Sequence, residues 1–210
     1  MAKQIYLVRH GLTLSNEAER IQGFDDPLSE KGKKQAEILA DRLSRISFDK
    51  FLCSDMLRTR QTAEIIVEKT KHEIEFSPLF REIQYPTSLI NLSRSDPRIL
   101  EYWKSQEENS KTNPEWKQED EESIAELIAR IKAGFDYAAG QPEDSVVVIT
   151  HGNFLRKLVL ILLLGTDAFK YWTERNALMV TANTGITLFS RHDNDPDWQL
   201  ITWNDHAHLG

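Results

Sequence analysis

Apolar residues recur along this chain in two rhythms. Short, nearly unbroken runs occur at Ile5 to Val8, Phe51 to Cys53, Ile74 to Phe76 and Val146 to Thr150. Runs of this kind are what strands covered on both faces require. Between them the spacing changes to three and four: Ala36, Leu39, Ala40, Leu43, Ile46; Met56, Ala63, Ile66, Val67; Ile124, Leu127, Ile128, Ile131, Phe135, Ala138; and Leu155, Leu158, Val159, Leu162. That is the stripe of an amphipathic helix. Ser29 is placed to cap the first helix and Ser54 or Asp55 the second; a side-chain oxygen there satisfies a free N–H of the first turn. The acidic run Glu119-Asp120-Glu121-Glu122 is predicted to open the third, suiting the positive end of its dipole, and Gly140 to close it. The fourth begins near Asn153. Thr184 to Phe189 and Trp198 to Thr202 read as a closing antiparallel pair turned at Asp193-Asn194-Asp195-Pro196.

Strand alternating with helix predicts an α/β three-layer sandwich, a mainly parallel central sheet with helices on both faces. No repeat or linker divides it, so residues 1–210 are read as a single domain. Residues 85–118 break both rhythms and mix Leu89, Ile90, Leu92, Ile99, Tyr102 and Trp103 with charge. A stretch this long between elements is usually functional. It is expected to be a cap insertion with one or two short helices, its apolar residues either receiving an organic group or forming a small core of their own.

Composition narrows the function. With 28% charged and 40% hydrophobic residues the chain reads as an ordinary soluble enzyme. The net charge of −7 argues against nucleic acid, which calls for a basic face. The longest apolar run, Leu158 to Leu164, is far too short to cross a membrane. No signal-like segment precedes the first strand, so the expected location is cytoplasmic. A lone cysteine, Cys53, is expected to be a small buried residue. His206 and His208 are expected to form a plain tail, and no metal is expected. Asp25 and Asp26 are read as a solvated loop.

The chemistry sits where strands stop. The first run ends in Arg9-His10-Gly11 and the fourth in His151-Gly152; after the second, Arg58 falls within the first helical turn. Packing gives no reason for Arg-His at a strand end, and burying them unpaired is costly. Ligands of open α/β sheets bind beyond the carboxyl ends of parallel strands. Two imidazoles and two guanidiniums would therefore meet in one crevice, a cationic pocket suited to a phosphoryl group. Thr13 and Asn16 can hydrogen-bond its oxygens; Gln22 and Gly152 are further candidate contacts. Glu82 leaves the third strand's carboxyl end toward the same crevice.

Arg9-His10-Gly11 with Asn16, Arg58 followed by Thr62-Ala63, Arg81-Glu82 and Thr150-His151-Gly152 together resemble the histidine phosphatase superfamily, the phosphoglycerate-mutase-like phosphatases. The resemblance spans roughly residues 4 to 190. It implies that His10 is a nucleophile forming a phosphohistidine, that Arg9, Arg58, Asn16 and His151 hold the phosphoryl group, with His151 donating, and that Glu82 is general acid and then base. It implies a cofactor-independent phosphomonoesterase acting on a small phosphorylated metabolite. Glu82-Ile83-Gln84-Tyr85-Pro86 departs from the family, whose mutases carry a Glu-Arg-x-Tyr-Gly-like element there. The alternatives are a mutase-type phosphotransferase, a partner-directed phosphoprotein phosphatase, and a phosphate-binding module without turnover. The sequence names neither substrate nor oligomeric state.

Overall fold

A computed structural model describes residues 2–110, 112–165, 168 and 178–210. Six strands form one sheet: β1 Ala2–Arg9, β2 Lys50–Ser54, β3 Ile74–Ser77, β4 Ser145–Thr150, β5 Ile186–His192 and β6 Gln199–Asp205, in the order β3-β2-β4-β1-β5-β6. β3, β2, β4 and β1 are mutually parallel, while β5 runs antiparallel to β1 and pairs antiparallel with β6. The fold is thus the expected α/β sandwich, with a mixed edge.

Among the described residues six helices accompany the sheet: α1 Leu14–Glu17, α2 Glu30–Leu43, α3 Leu57–Thr70, α4 Pro97–Ser110, α5 Ile124–Ala139 and α6 Gly152–Leu164. Successive residues of a strand face opposite sides, and the core divides accordingly. Ile5, Leu7, Val146 and Val148 pack with Leu127, Ile131, Phe135, Leu155 and Leu158 of α5 and α6. Val8, Phe51, Val147 and Ile149 pack on the other face with Leu39, Leu43, Ala63 and Ile66 of α2 and α3. Cys53 lies buried in this second layer. The cap has a small core of its own, Ile21, Leu89, Ile99 and Tyr102. It holds one 14-residue helix, α4, and a 3-10 turn at Thr87–Leu89.

Ser29 caps α2 as expected, its Oγ accepting from Gly32 N at 3.2 Å. Three local expectations fail for physical reasons. α3 starts at Leu57, with Met56 as an N-cap that makes no side-chain bond, because Ser54 and Asp55 are engaged elsewhere. Ser54 Oγ meets His151, and the Asp55 carboxylate accepts from Arg81 Nε at 2.7 Å. α5 starts only at Ile124, where Ser123 and Glu126 form a reciprocal capping box. The acidic run ahead of it ties down the cap instead. Asp120 accepts from Thr87 N at 2.9 Å, Glu121 from Tyr102 Oη at 2.5 Å, and Glu122 from Arg130 Nε at 2.5 Å. The C-terminal segment is not a plain tail either: His208 meets Arg42 Nη1 and Thr184 Oγ1, both at 3.1 Å.

Candidate active site

Register assembles the site. Arg9 lies opposite Thr150, so the residues that follow, His10 and His151, leave neighbouring strands side by side. Their ring centroids are 5.1 Å apart, edge to face. Because β5 enters antiparallel, the residues before it arrive at this same end. Asn183 Nδ2 donates to His10 O at 3.0 Å and Thr184 N to Arg9 O at 2.9 Å, while His10 N donates to Thr150 O at 3.0 Å. The nucleophile candidate is clamped from both neighbouring strands. One close approach completes its loop: a Cβ on Gly32 would sit 1.9 Å from Leu12 O, so only glycine lets α2 pack against it.

The His10 ring is fully buried, with Nδ1 2.7 Å from Gly11 O. A carbonyl only accepts, so Nδ1 carries the proton and Nε2 holds a lone pair. Nε2 is buried without a hydrogen-bond partner. Burial first, then the fields of Arg58 and Arg9, hold the imidazole well below its usual pKa and therefore neutral.

His151 is likewise buried, and burial followed by the Arg58 field keeps it neutral. Its two nitrogens are both engaged. Arg58 Nε donates to Nδ1 at 3.2 Å, so Nε2 carries the proton and donates to Ser54 Oγ at 2.9 Å. The expected phosphate donor is here an acceptor that orients Arg58. The remaining Arg58 nitrogens donate to Gly23 O at 2.7 Å and meet Met56 Sδ at 3.4 Å. Burial pulls Arg58 down to about 10, opposed by Glu82 and Asp26. Arg9 is pulled to about 10 for the same reason, opposed by Glu82. Its Nη1 donates to Thr181 O at 2.6 Å, and its buried Nε has no partner. Gly152 makes room for it, since a Cβ there would lie 3.1 Å from Arg9 Nε and 2.9 Å from Thr181 Oγ1.

Glu82 reaches the group, but as a helix cap. Its Oε1 accepts from Ile83 N and Phe154 N, each at 3.0 Å, and Oε2 from Asn153 N at 3.1 Å. Two of those donors open α6, where the helix dipole favours a carboxylate. Thr13 and Gln22 belong to a neighbouring polar network. Thr13 Oγ1 accepts from Asn16 N at 3.1 Å and Gln22 Nε2 at 2.7 Å, and Gln22 also donates to Asp26 Oδ2 at 2.8 Å. Asp26 takes a further bond from Ser15 Oγ at 2.8 Å and is buried. The solvated-loop reading of Asp26 is therefore overturned: Ser15 and Gln22 satisfy its oxygens within reach of Arg58, while Asp25 stays exposed. Asn16 Oδ1 is buried without a partner; a half-turn of the amide would present its NH2 there instead.

Two clefts flank Tyr85, one of about 450 Å³ that reaches Glu82, Gln22 and Phe24, and one of about 350 Å³ that reaches Asn153, Arg156 and Thr181. Neither is lined by His10 itself, which is covered. Sequence reasoning missed Arg156, three residues after Asn153 on α6; its only signal was that both lie in the turn following His151-Gly152. It also missed Asn183 and Thr184, because polar loop residues ahead of a strand, here β5, do not announce such a role. Among the described residues no cluster of three His, Cys, Asp or Glu could hold a metal, and no helix is long and apolar enough to cross a membrane.

An α/β sheet with paired histidines and arginines at its carboxyl end defines a class: the chain belongs to the histidine phosphatase superfamily (branch 1), whose sequence model matches residues 5–206. It is 33% identical over 218 residues to a probable phosphoglycerate mutase GpmB of Erwinia tasmaniensis, covering 98% of this chain and 94% of that one. An Escherichia coli protein of the same description is 34% identical over 222 residues, with the same coverage. Among solved structures, mycobacterial glucosyl-3-phosphoglycerate phosphatase aligns with TM-score 0.75 and 25% identity over 97% of this chain and 99% of that one. A phosphoserine phosphatase variant of Entamoeba histolytica shares the fold with TM-score 0.78 at 22% identity over 98% of each chain.

Proposed function

We propose that the chain is a phosphomonoester hydrolase that works through a phosphohistidine on His10, without a cofactor, on a small phosphorylated metabolite. The observation that carries this reading is the buried, unpartnered Nε2 of a neutral imidazole, flanked by Arg9 and Arg58. A buried lone pair left free of hydrogen bonds calls for an explanation. Phosphoryl transfer to His10 supplies one, since it requires such an electron pair.

In this reading the His10 Nε2 lone pair forms a bond to phosphorus as the ester P–O bond breaks, and the departing alkoxide takes a proton from Glu82. Water then attacks phosphorus, gives its proton to the Glu82 carboxylate, and the P–N bond breaks to return neutral His10. Arg9 and Arg58 offset charge spreading over the equatorial oxygens. Asn16 and Thr13 add polar contacts. His151 steers the Arg58 fork, and it becomes a donor to the phosphoryl group only with a second proton on Nδ1. Gln22 acts one step back by fixing Thr13, and Gly152 by leaving Arg9 its place.

The curated relatives' description favours a second reading, a mutase that keeps the phosphohistidine for a sugar-acid hydroxyl. Tyr85-Pro86, in place of a mutase-like Tyr-Gly, weighs toward hydrolysis. The test is to mix the protein briefly with a labelled aryl phosphate and quench. An acid-labile, alkali-stable adduct is expected on wild type and absent from His10→Ala, which should lose nearly all turnover while remaining folded. Substantial turnover by His10→Ala would overturn the assignment. With phosphoglycerate, release of inorganic phosphate supports hydrolysis; isomer formation supports the mutase.

A further inference from the structure

The segment Leu79-Phe80-Arg81-Glu82 carries the proposed acid away from the end of β3, and from Arg81 onward it has no regular structure. No strand ladder serves its carbonyls, so other donors must. Thr150 Oγ1 donates to Phe80 O at 2.8 Å. The other carbonyls are met by one side chain, Arg130 of α5. Its Nη1 donates to Arg81 O at 2.8 Å and Leu79 O at 3.3 Å, and its Nη2 to Glu82 O at 3.2 Å. The rest of the fork grips Glu122, Nε on Oε1 at 2.5 Å and Nη2 on Oε2 at 2.7 Å. Every N–H of the guanidinium is thus engaged.

The surroundings hold this clamp in place. Leu127 and Ile131 of α5 share a core with Phe80 and Ile83. Two residues before Glu122, Asp120 accepts from Thr87 N and, through its carbonyl, from Gln84 Nε2. An exposed ion pair contributes little, because water screens it and two long side chains lose freedom. Here the two side chains are only 17% and 19% exposed, and the cation is spent on main-chain oxygens. Arg130 also lines the cleft of about 450 Å³, but with each donor taken it has none to offer a ligand there. What the clamp does fix is the main chain of Glu82. The carboxylate end of that residue is already held by Ile83, Asn153 and Phe154 N–H groups.

We propose that Arg130, oriented by Glu122, is the positioning residue for Glu82: it sets the main chain from which the acid reaches the leaving oxygen. This rests on the reading of Glu82 as general acid. Proton delivery in the transition state tolerates little displacement, and about 1 Å of misplacement can cost about 10²-fold in rate.

The test is a double-variant cycle read by single-turnover phosphorylation with an alkyl phosphate and a nitrophenyl phosphate. Arg130→Lys keeps the charge that also bears on His151, but a single ammonium cannot replace the planar fork. It is expected to slow the alkyl ester by about 10- to 100-fold and the nitrophenyl ester by less than about threefold. Glu122→Gln, which keeps Arg130 and loosens its orientation, should show the same selectivity at smaller size, and it carries the comparison if Arg130→Lys does not fold. In a Glu82→Gln background, Arg130→Lys should change either ester by no more than about twofold, since no acid is left to position. Equal losses on the two esters, an unchanged alkyl rate, or losses that multiply in the double variant would overturn the role. Glu82→Gln alone separates this from the reading beneath it. An alkyl-selective loss there but not in Arg130→Lys removes only the positioning role; equal losses there remove the acid and the positioning role with it. The phosphohistidine is judged independently by the wild-type adduct.

Discussion

Glu82 is a helix cap in the structure and an acid in the proposed reaction, and the two can be separated. As a cap it accepts three main-chain N–H groups; as an acid it must deliver a proton to the leaving oxygen. An alkyl alkoxide needs that proton almost fully transferred, whereas nitrophenolate leaves without help. Glu82→Gln is therefore expected to slow single-turnover phosphorylation by alkyl phosphates roughly 100- to 10,000-fold and by the aryl ester much less. Equal losses for both esters would mean that the residue serves only as cap and counter-charge. A rapid-quench measurement reads the difference, and a melting curve on the same variant reads the cap. Residues of this kind were legible in the sequence where a strand run ended in a polar residue with no packing reason to be there: Arg9, His10, His151. Asp26 was not legible. Its burial depends on Ser15 and Gln22 folding over it, and nothing in a local window distinguishes it from the exposed Asp25 beside it.

At the scale of elements, helix bodies followed directly from apolar spacing, and helix starts did not. The acidic run before α5 has the composition of a first turn, yet each carboxylate is held by a donor from the cap or from α5 itself. The true start is set by the Ser123 and Glu126 box. Propensity was overruled by tertiary partners that only the fold supplies. The contact between α2 and the loop after His10 is a sharper case, because its tolerance is measured in tenths of an ångström. Gly32→Ala would place a methyl 1.9 Å from Leu12 O, where backbone rather than a flexible side-chain tip must give way. Overpacking of this kind typically costs about 1–3 kcal/mol. The expected outcome is a lower midpoint in urea together with a drop in kcat, since the displaced loop carries the Gly11 carbonyl that fixes the His10 tautomer. A variant as stable and active as wild type would show the loop to be free.

The whole molecule inherits a pH dependence from its two buried imidazoles. Burial lowers both His10 and His151 well below the usual histidine value, so the unfolded chain binds protons that the native state refuses. Their contribution is intact above the unfolded histidine pKa and is lost as pH falls below it. Going from about pH 7.5 to 5.5 should therefore lower the stability, in the direction that these two groups set. Urea unfolding of wild type against the double variant His10→Asn, His151→Asn isolates this, because His208, also lowered, is common to both. If the two proteins lose the same stability over that range, the imidazoles are not excluded from protonation in the fold.

The sheet order carries a further consequence, one of timing. β1, with Arg9 and His10 at its end, is the first strand to be synthesised, yet it lies between β4 and β5. Arg9 has no partner until Thr150 exists, and Val8 none on its other side until Ile186 does. At about 5–20 residues per second of translation, the nascent strand waits on the order of ten seconds or more as an unpaired apolar ribbon. During that interval Tyr6-Leu7-Val8 must be kept from other edges by the ribosome tunnel, by chaperones, or by early packing of α2 beside it. Arg9 and His10 of the proposed site thus stand on the earliest strand of the sheet and are fixed among the last events of its assembly.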